Sequence, residues 1–219
     1  MRLHPIALLT SLALASPALA QTPEAPGLVV TGGIALEFSD GEYGRGTGPS
    51  LSTGAYIEAE ISGFYLGVSG EVTDERTDNE VDYYLGYRRE LVTGFSWDIG
   101  YTRYTYPRDG GDCCGEVTLG LFTSVGDKVG LGLDLAYDPA SDLGNAYLSA
   151  EYDLDDNWTL SANYGACEVD AEPMVREWDF GAGYVLSDEL ALDMRWYDSD
   201  GYDGYAAVSV SFDTTLFGN

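Results

Sequence analysis

Cationic chemistry is almost missing from this chain. Of 219 residues, 10 are Lys or Arg against 37 Asp or Glu, a formal net charge of -27, and Lys128 is the only lysine. A nucleic-acid backbone is therefore excluded as a partner, because phosphate binding needs clustered Lys and Arg. The one histidine, His4, lies in a segment that reads as a removable leader. Without it, His-based triads, His general bases and the usual zinc sites are excluded. No run of eighteen apolar residues occurs, so helical membrane spans are excluded as well. With 28 Gly, 17 Tyr and only 8 Pro, the composition is neither collagen-like nor that of an aromatic-poor acidic tail.

What is present begins with a secretory leader. Arg2 supplies a positive start, Ile6 to Ala15 an apolar stretch, and Ala18-Leu19-Ala20 a small-x-small cleavage pattern before Gln21. Residues 1–20 are read as signal peptide, 21–27 as a periplasmic lead and 28–219 as one domain.

Beyond Gln21 the dominant pattern is alternation with period two, with helical periodicity hard to find. Between Lys128 and Asp138, Val129, Leu131, Leu133, Leu135 and Tyr137 share one face, while Gly130, Gly132, Asp134 and Ala136 share the other. The same test places strands at 28–38, 50–61, 64–72, 80–90, 94–106, 114–124, 128–138, 143–153, 156–167, 174–186, 189–198 and 204–213. Their connections alternate between tight turns, such as Ser62-Gly63 and Ser187-Asp188, and mostly longer loops, such as Ser39 to Pro49. That alternation belongs to an outer-membrane barrel, whose periplasmic turns are short and extracellular loops long.

The side-chain faces agree. One face is apolar with aromatic ends, as in Phe64, Leu66 and Val68, in Phe95, Trp97, Ile99 and Tyr101, or in Trp178, Phe180, Ala182 and Tyr184. Arg89, Arg103 and Arg176 share that parity but fall at strand ends, so none meets the bilayer midplane, where a cation costs about 2 to 4 kcal/mol. The expected fold is an all-β transmembrane antiparallel up-and-down β-barrel of about twelve strands in a Gram-negative outer membrane.

Gly94-Phe95-Ser96-Trp97-Asp98-Ile99-Gly100-Tyr101-Thr102-Arg103-Tyr104-Thr105-Tyr106-Pro107 resembles the signature of the TorF-type porin family of proteobacteria. Glu80 to Tyr87, Arg45-Gly46 followed by Thr47, Tyr147 to Tyr152, and Val208 to Phe212 resemble the same family. The resemblance spans most of the mature chain and implies an outer-membrane barrel with a pore role and no catalytic residues. Such barrels finish on an aromatic, whereas here Asp213 to Asn219 follow Phe212, so Phe212 or Phe217 would serve the barrel assembly machinery.

The second face carries Glu37, Glu58, Glu60, Glu71, Glu80, Asp82, Asp98, Glu116, Asp134, Glu151, Asp153, Glu177, Asp179 and Asp193, with Arg88 and Arg195 among them. As pore lining we single out Glu58, Glu71, Asp82, Arg88, Asp98, Asp134, Glu151, Asp179, Asp193 and Arg195. Rings of acids select cations, so one reading is a narrow, cation-preferring channel for passive diffusion of small solutes. Asp98, Asp134 and Asp193 should then matter most, being near mid-strand. The other reading is a closed structural or ligand-binding barrel, in which the acids bond to inward Tyr56, Tyr65, Tyr84, Tyr104, Tyr147 and Tyr205. Inner glycines at 54, 67, 86, 100, 120, 132, 181 and 183 either leave a water path or make room for those tyrosines.

No enzyme, cofactor or metal is assigned. Two carboxylates suffice for glycoside hydrolysis, but among so many acids some pair would meet the spacing by chance. Asp198 to Gly204 has oxygen ligands at calcium-like spacing without the twelfth-position Glu, and Asp and Gly are ordinary turn formers. Gly44 to Gly48 lacks the strand-to-helix context of a phosphate cradle. Cys113, Cys114 and Cys167 all fall at the loop side, and the expected disulfide joins Cys167 to Cys113 or Cys114. The expected partners are outer-membrane lipid and lipopolysaccharide, the assembly machinery and small solutes.

Overall fold

The computed structural model describes residues 27–41, 49–73, 79–92, 94–107, 111–168 and 174–218. The leader and its cleavage site lie outside these residues. Twelve strands follow in order: β1 (Val29–Ser39), β2 (Ser50–Ile61), β3 (Phe64–Thr73), β4 (Glu80–Val92), β5 (Phe95–Tyr106), β6 (Gly111–Val125), β7 (Val129–Asp138), β8 (Leu143–Asp153), β9 (Trp158–Cys167), β10 (Val175–Ser187), β11 (Leu190–Ser199) and β12 (Tyr205–Phe217). Each pairs antiparallel with its sequence neighbours, and β12 returns to β1, closing the barrel. Closure leaves no sheet edge, which a bilayer requires because it offers no water to unpaired backbone groups.

The turn-side connections are built tightly. Ser62 and Gly63, both at positive φ (57° and 86°), join β2 to β3 as a two-residue hairpin whose twist matches the flanking strands. A Cβ on Gly63 would lie 2.4 Å from the Arg88 carbonyl oxygen, so the next hairpin also needs glycine there. At the β8–β9 turn, Asp155 accepts hydrogen bonds from the backbone N–H of Asn157 and Trp158, each at 2.9 Å. Those bonds hold its carboxyl below the ordinary aspartate value.

Outside, the surface is apolar. Phe64 (62% exposed), Leu66 (65%) and Phe180 (60%) represent side chains whose exposure would be unfavourable in water and is favourable in lipid. At the turn-side rim, aromatic rings pack at tilted angles: Phe64 on Tyr87 at 4.6 Å, Tyr87 on Trp97 at 5.6 Å, Trp158 on Tyr184 at 4.7 Å. These form one interfacial girdle.

Two boundaries differ from the sequence expectation. β6 starts at Gly111 rather than residue 114, because Gly111 and Asp112 pair with Tyr106 and Thr105 beyond an irregularity in register at Tyr104/Thr105. β12 continues past Phe212 to Phe217, pairing Asp213 with Gly33 and Thr215 with Thr31. Phe212 is therefore mid-strand, and Phe217 is the aromatic at the strand end.

Candidate functional site in the barrel lumen

The strand register carries every inward residue into one continuous lumen wall. It places all ten residues singled out as pore lining on the inner face. Glu58, Glu71, Asp82, Arg88 and Asp98 come from β2 to β5. Asp134 and Glu151 come from β7 and β8, and Asp179, Asp193 and Arg195 from β10 and β11. They are not equivalent once there.

Arg88, in the turn-side half, is held by Glu58 at 2.7 Å, Glu60 at 3.4 Å and Asp98 at 3.8 Å. Its guanidinium sits 4.1 Å from the Tyr65 ring centroid, and the Tyr65 hydroxyl donates to Asp98 at 2.7 Å. Arg195 stands nearly opposite, since β4 and β11 are five strands apart one way round the barrel and seven the other. It donates to Asp179, to both oxygens of Asp193 at 3.2 Å and to Ser161 at 2.7 Å. Asn163 donates to Asp179 from the neighbouring strand at 2.8 Å and 3.1 Å. Neither guanidinium is left as a free anion site.

Tyrosines serve the acids nearer the loops. Tyr104 donates to Glu116 at 3.0 Å, and Tyr147 donates to Glu177 and lies 2.7 Å from the Cys167 sulfur. Many inner glycines are the seats of these rings: a Cβ would meet Tyr84 at Gly67 (2.3 Å), Tyr65 at Gly86 (2.3 Å) and Tyr147 at Gly165 (2.2 Å). Gly54 and Gly183 meet nothing closer than 3.9 Å. At the loop end of β3 and β4, Asp82 accepts from Ser69 at 3.3 Å through one oxygen, while the other is buried without a hydrogen-bond partner. By contrast, among the described residues no hydrogen bond or ion pair reaches Glu37, Asp134 or Glu151.

The disulfide expectation is corrected. Cys167 is a buried free thiol, whereas Cys114 is disulfide-bonded. Cys167 on β9 and Cys114 on β6 are three strand spacings apart, roughly 14 Å along the wall at about 4.8 Å each, against the 4.4–6.8 Å of bridged Cα atoms. The side chain of Cys113 lies outside the described residues. The calcium-like loop is used internally: Asp198 accepts from the Ser199 N–H at 2.8 Å, and Asp200 accepts from the Arg176 N–H at 2.8 Å and pairs with its guanidinium at 3.5 Å. Among the described residues no three side chains form a metal-ligand cluster.

Residues 22–216 match the family described as "Bacterial protein of unknown function (Gcw_chp)". The chain belongs to the Gcw_chp family. No curated protein sequence matches it. Among solved structures, the KdgM porin aligns at TM-score 0.64 and 12% identity, covering 83% of this chain and 98% of that one. The NanC porin aligns at 0.62 and 10%, covering 85% and 100%. A channel described as the CymD monoaromatic hydrocarbon channel aligns at 0.52 and 10%, covering 89% and 90%. At such identities the likeness is one of fold, and that fold is a porin-like outer-membrane barrel.

Three lumen features of this Gcw_chp chain escaped the sequence reading. Tyr197 stacks on Tyr205 at 5.0 Å, although its shared parity with Asp193 and Arg195 was available. Tyr202, from the β11–β12 loop, packs against Tyr205 at 6.0 Å, and no periodicity could place a loop residue there. Phe122 faces inward because it pairs with Ser96 and Gly132, both on the inner face.

Proposed function

We propose that this Gcw_chp protein is an outer-membrane channel for passive passage of small solutes, with a preference for cations. The observation that carries this reading is the division of lumen charge. Arg88 and Arg195 are each bound by several acids, while Glu37, Asp134 and Glu151 make no hydrogen bond or ion pair among the described residues. Unpaired carboxylates in a narrow, poorly screened passage concentrate cations and repel anions. A barrel of twelve strands lies between the filled interior of eight and the open channel of sixteen, so the passage is narrow.

The porin-like fold and the TorF-type resemblance support a pore role. They also support an outer-membrane location; cleavage near Ala20, delivery by the assembly machinery, and Arg89, Arg103 and Arg176 near lipid and lipopolysaccharide head groups complete the proposal. One solved KdgM structure is described as a complex with disordered oligogalacturonate. A polyanion of that kind is a poor solute for a lumen walled with unpaired acids. The rival reading, a closed barrel, draws on the tyrosines seated over glycines and bonded to acids, such as Tyr147 at Gly165 and Glu177.

Recording single channels of the refolded mature chain in planar bilayers separates the two. Steady conductance steps with a cation-sided reversal potential under a salt gradient are expected. Absence of steps from demonstrably folded protein would establish the closed barrel, and an anion-sided potential would remove the assigned role of the acids.

A further inference from the structure

Phe122 is an apolar ring on a polar wall, and its setting differs from that of the inward tyrosines. A Cβ on Gly120 would meet its Cε2 and Cζ at 2.7 Å and 2.9 Å, and a Cβ on Gly132 its Cδ1 and Cε1 at 3.2 Å and 3.4 Å. Both glycines have inward parity, and they underlie opposite edges of the ring. The ring is therefore seated over both glycines on the inner wall, and Phe122 remains 40% exposed. Beside the Gly120 edge, the Asp134 Oδ1 lies 3.1 Å from that same Cβ position.

The tyrosines around the barrel give the contrast. Tyr65, Tyr104 and Tyr147 each lie near an acid and donate a hydroxyl proton to it, to Asp98, Glu116 and Glu177 respectively. Phe122 has no hydroxyl to give, and Asp134 receives no hydrogen bond or ion pair among the described residues. The charged group bearing on Asp134 is Asp98, another acid. A part-exposed aromatic ring with an unpaired carboxylate beside it is the chemistry that holds an organic ammonium ion, the ring by its quadrupole and the acid by charge.

We propose that Phe122 and Asp134 form a lumen subsite for small organic ammonium ions, making this solute class favoured over inorganic cations of similar charge. This rests on the channel reading for its physiological meaning, but binding itself does not require conduction. Tetramethylammonium is the probe, added to the folded full mature barrel in detergent and followed by saturation-transfer NMR, alongside its permeability relative to potassium in bilayers. Phe122→Leu should weaken binding about two- to fivefold, the range expected for one exposed cation–π contact, and lower the tetramethylammonium-to-potassium ratio while leaving potassium-over-chloride preference intact. Asp134→Asn, nearly isosteric, should weaken binding and lower both ratios, and keeps the test alive if Phe122→Leu does not fold. Wild-type protein that binds no tetramethylammonium, or equal binding by the wild type and the folded variants, overturns the subsite. If the protein conducts while Phe122→Leu changes nothing, the subsite fails and the channel stands. If folded protein binds the probe in a Phe122-dependent way without conducting, the channel fails and the subsite stands.

Discussion

Asp98, Asp134 and Asp193 have similar depth and parity but three different surroundings. Asp193 is buried at 6% exposure and holds two donors of Arg195, whose own side chain is 8% exposed. Asp98 accepts from Tyr65 and faces a more open Arg88, 43% exposed at the side chain. Asp134 stabilises nothing in the described structure. Removing one charge from a buried pair leaves the other uncompensated and typically costs 3–5 kcal/mol. Asp179 and Ser161 still serve Arg195, so Asp193→Asn should cost no more than about 3 kcal/mol. Asp98→Asn should cost about 1 kcal/mol, the scale of one hydrogen bond with a screened pair. Asp134→Asn should stay within about 0.5 kcal/mol of wild type. Urea unfolding of the barrel in lipid vesicles measures all three, and a destabilised Asp134→Asn would mean that this carboxylate has a structural partner.

At the scale of elements, the hairpins hold the register, and their chemistry is local enough to test singly. Gly63→Ala would force a Cβ into the Arg88 carbonyl at a φ of 86°, so a loss of at least 1–2 kcal/mol is expected in the same unfolding measurement. Asp155 gives a pH-dependent turn. Its folded carboxyl is held below the unfolded value, so its contribution is present above about pH 4 and disappears as pH falls through the lowered folded value. The amide shifts of Asn157 and Trp158 should titrate with a midpoint below about 3.9, and a midpoint at or above it would deny the capping role. The strands themselves were legible because a period of two leaves a mark in every segment, and so was the parity that gathers the acids. The start of β6 was not, since residues 111–113 read as loop and only the pairing of Gly111 and Asp112 with β5 makes that stretch strand. Asp213 and Thr214 likewise look like a polar tail until Tyr56 is seen donating to Asp213 at 2.9 Å. The Cys167 error had a visible remedy: strand order alone separates it from Cys114 by three spacings. Which acids are paired was beyond the sequence, because it depends on side chains meeting across strands distant in the chain, as Glu58 and Arg88 do.

For the molecule as a whole, an apolar outer face leaves the acids of the described strands facing the lumen and the two ends. Two kinds of charge removal then become distinguishable by salt. Glu37→Gln with Asp134→Asn and Glu151→Gln removes unpaired acids, whereas Asp98→Asn with Asp179→Asn and Asp193→Asn removes acids that hold Arg88 or Arg195. Each triple changes the net charge by the same amount. At 0.1 M salt the Debye length is about 10 Å, so a permeating ion senses the summed charge of the wall, and both triples should lower cation preference to a similar extent. At 1 M it falls to about 3 Å, and only charges close to the ion's path still act. There the second triple, which keeps Glu37, Asp134 and Glu151, should retain the greater cation preference, provided its folding is verified. Reversal potentials of the two triples at both salt concentrations provide the measurement. Equal preference at 1 M would mean that the ion's path does not follow the unpaired acids, and a larger loss in the second triple would place that path along the arginine-bound acids instead.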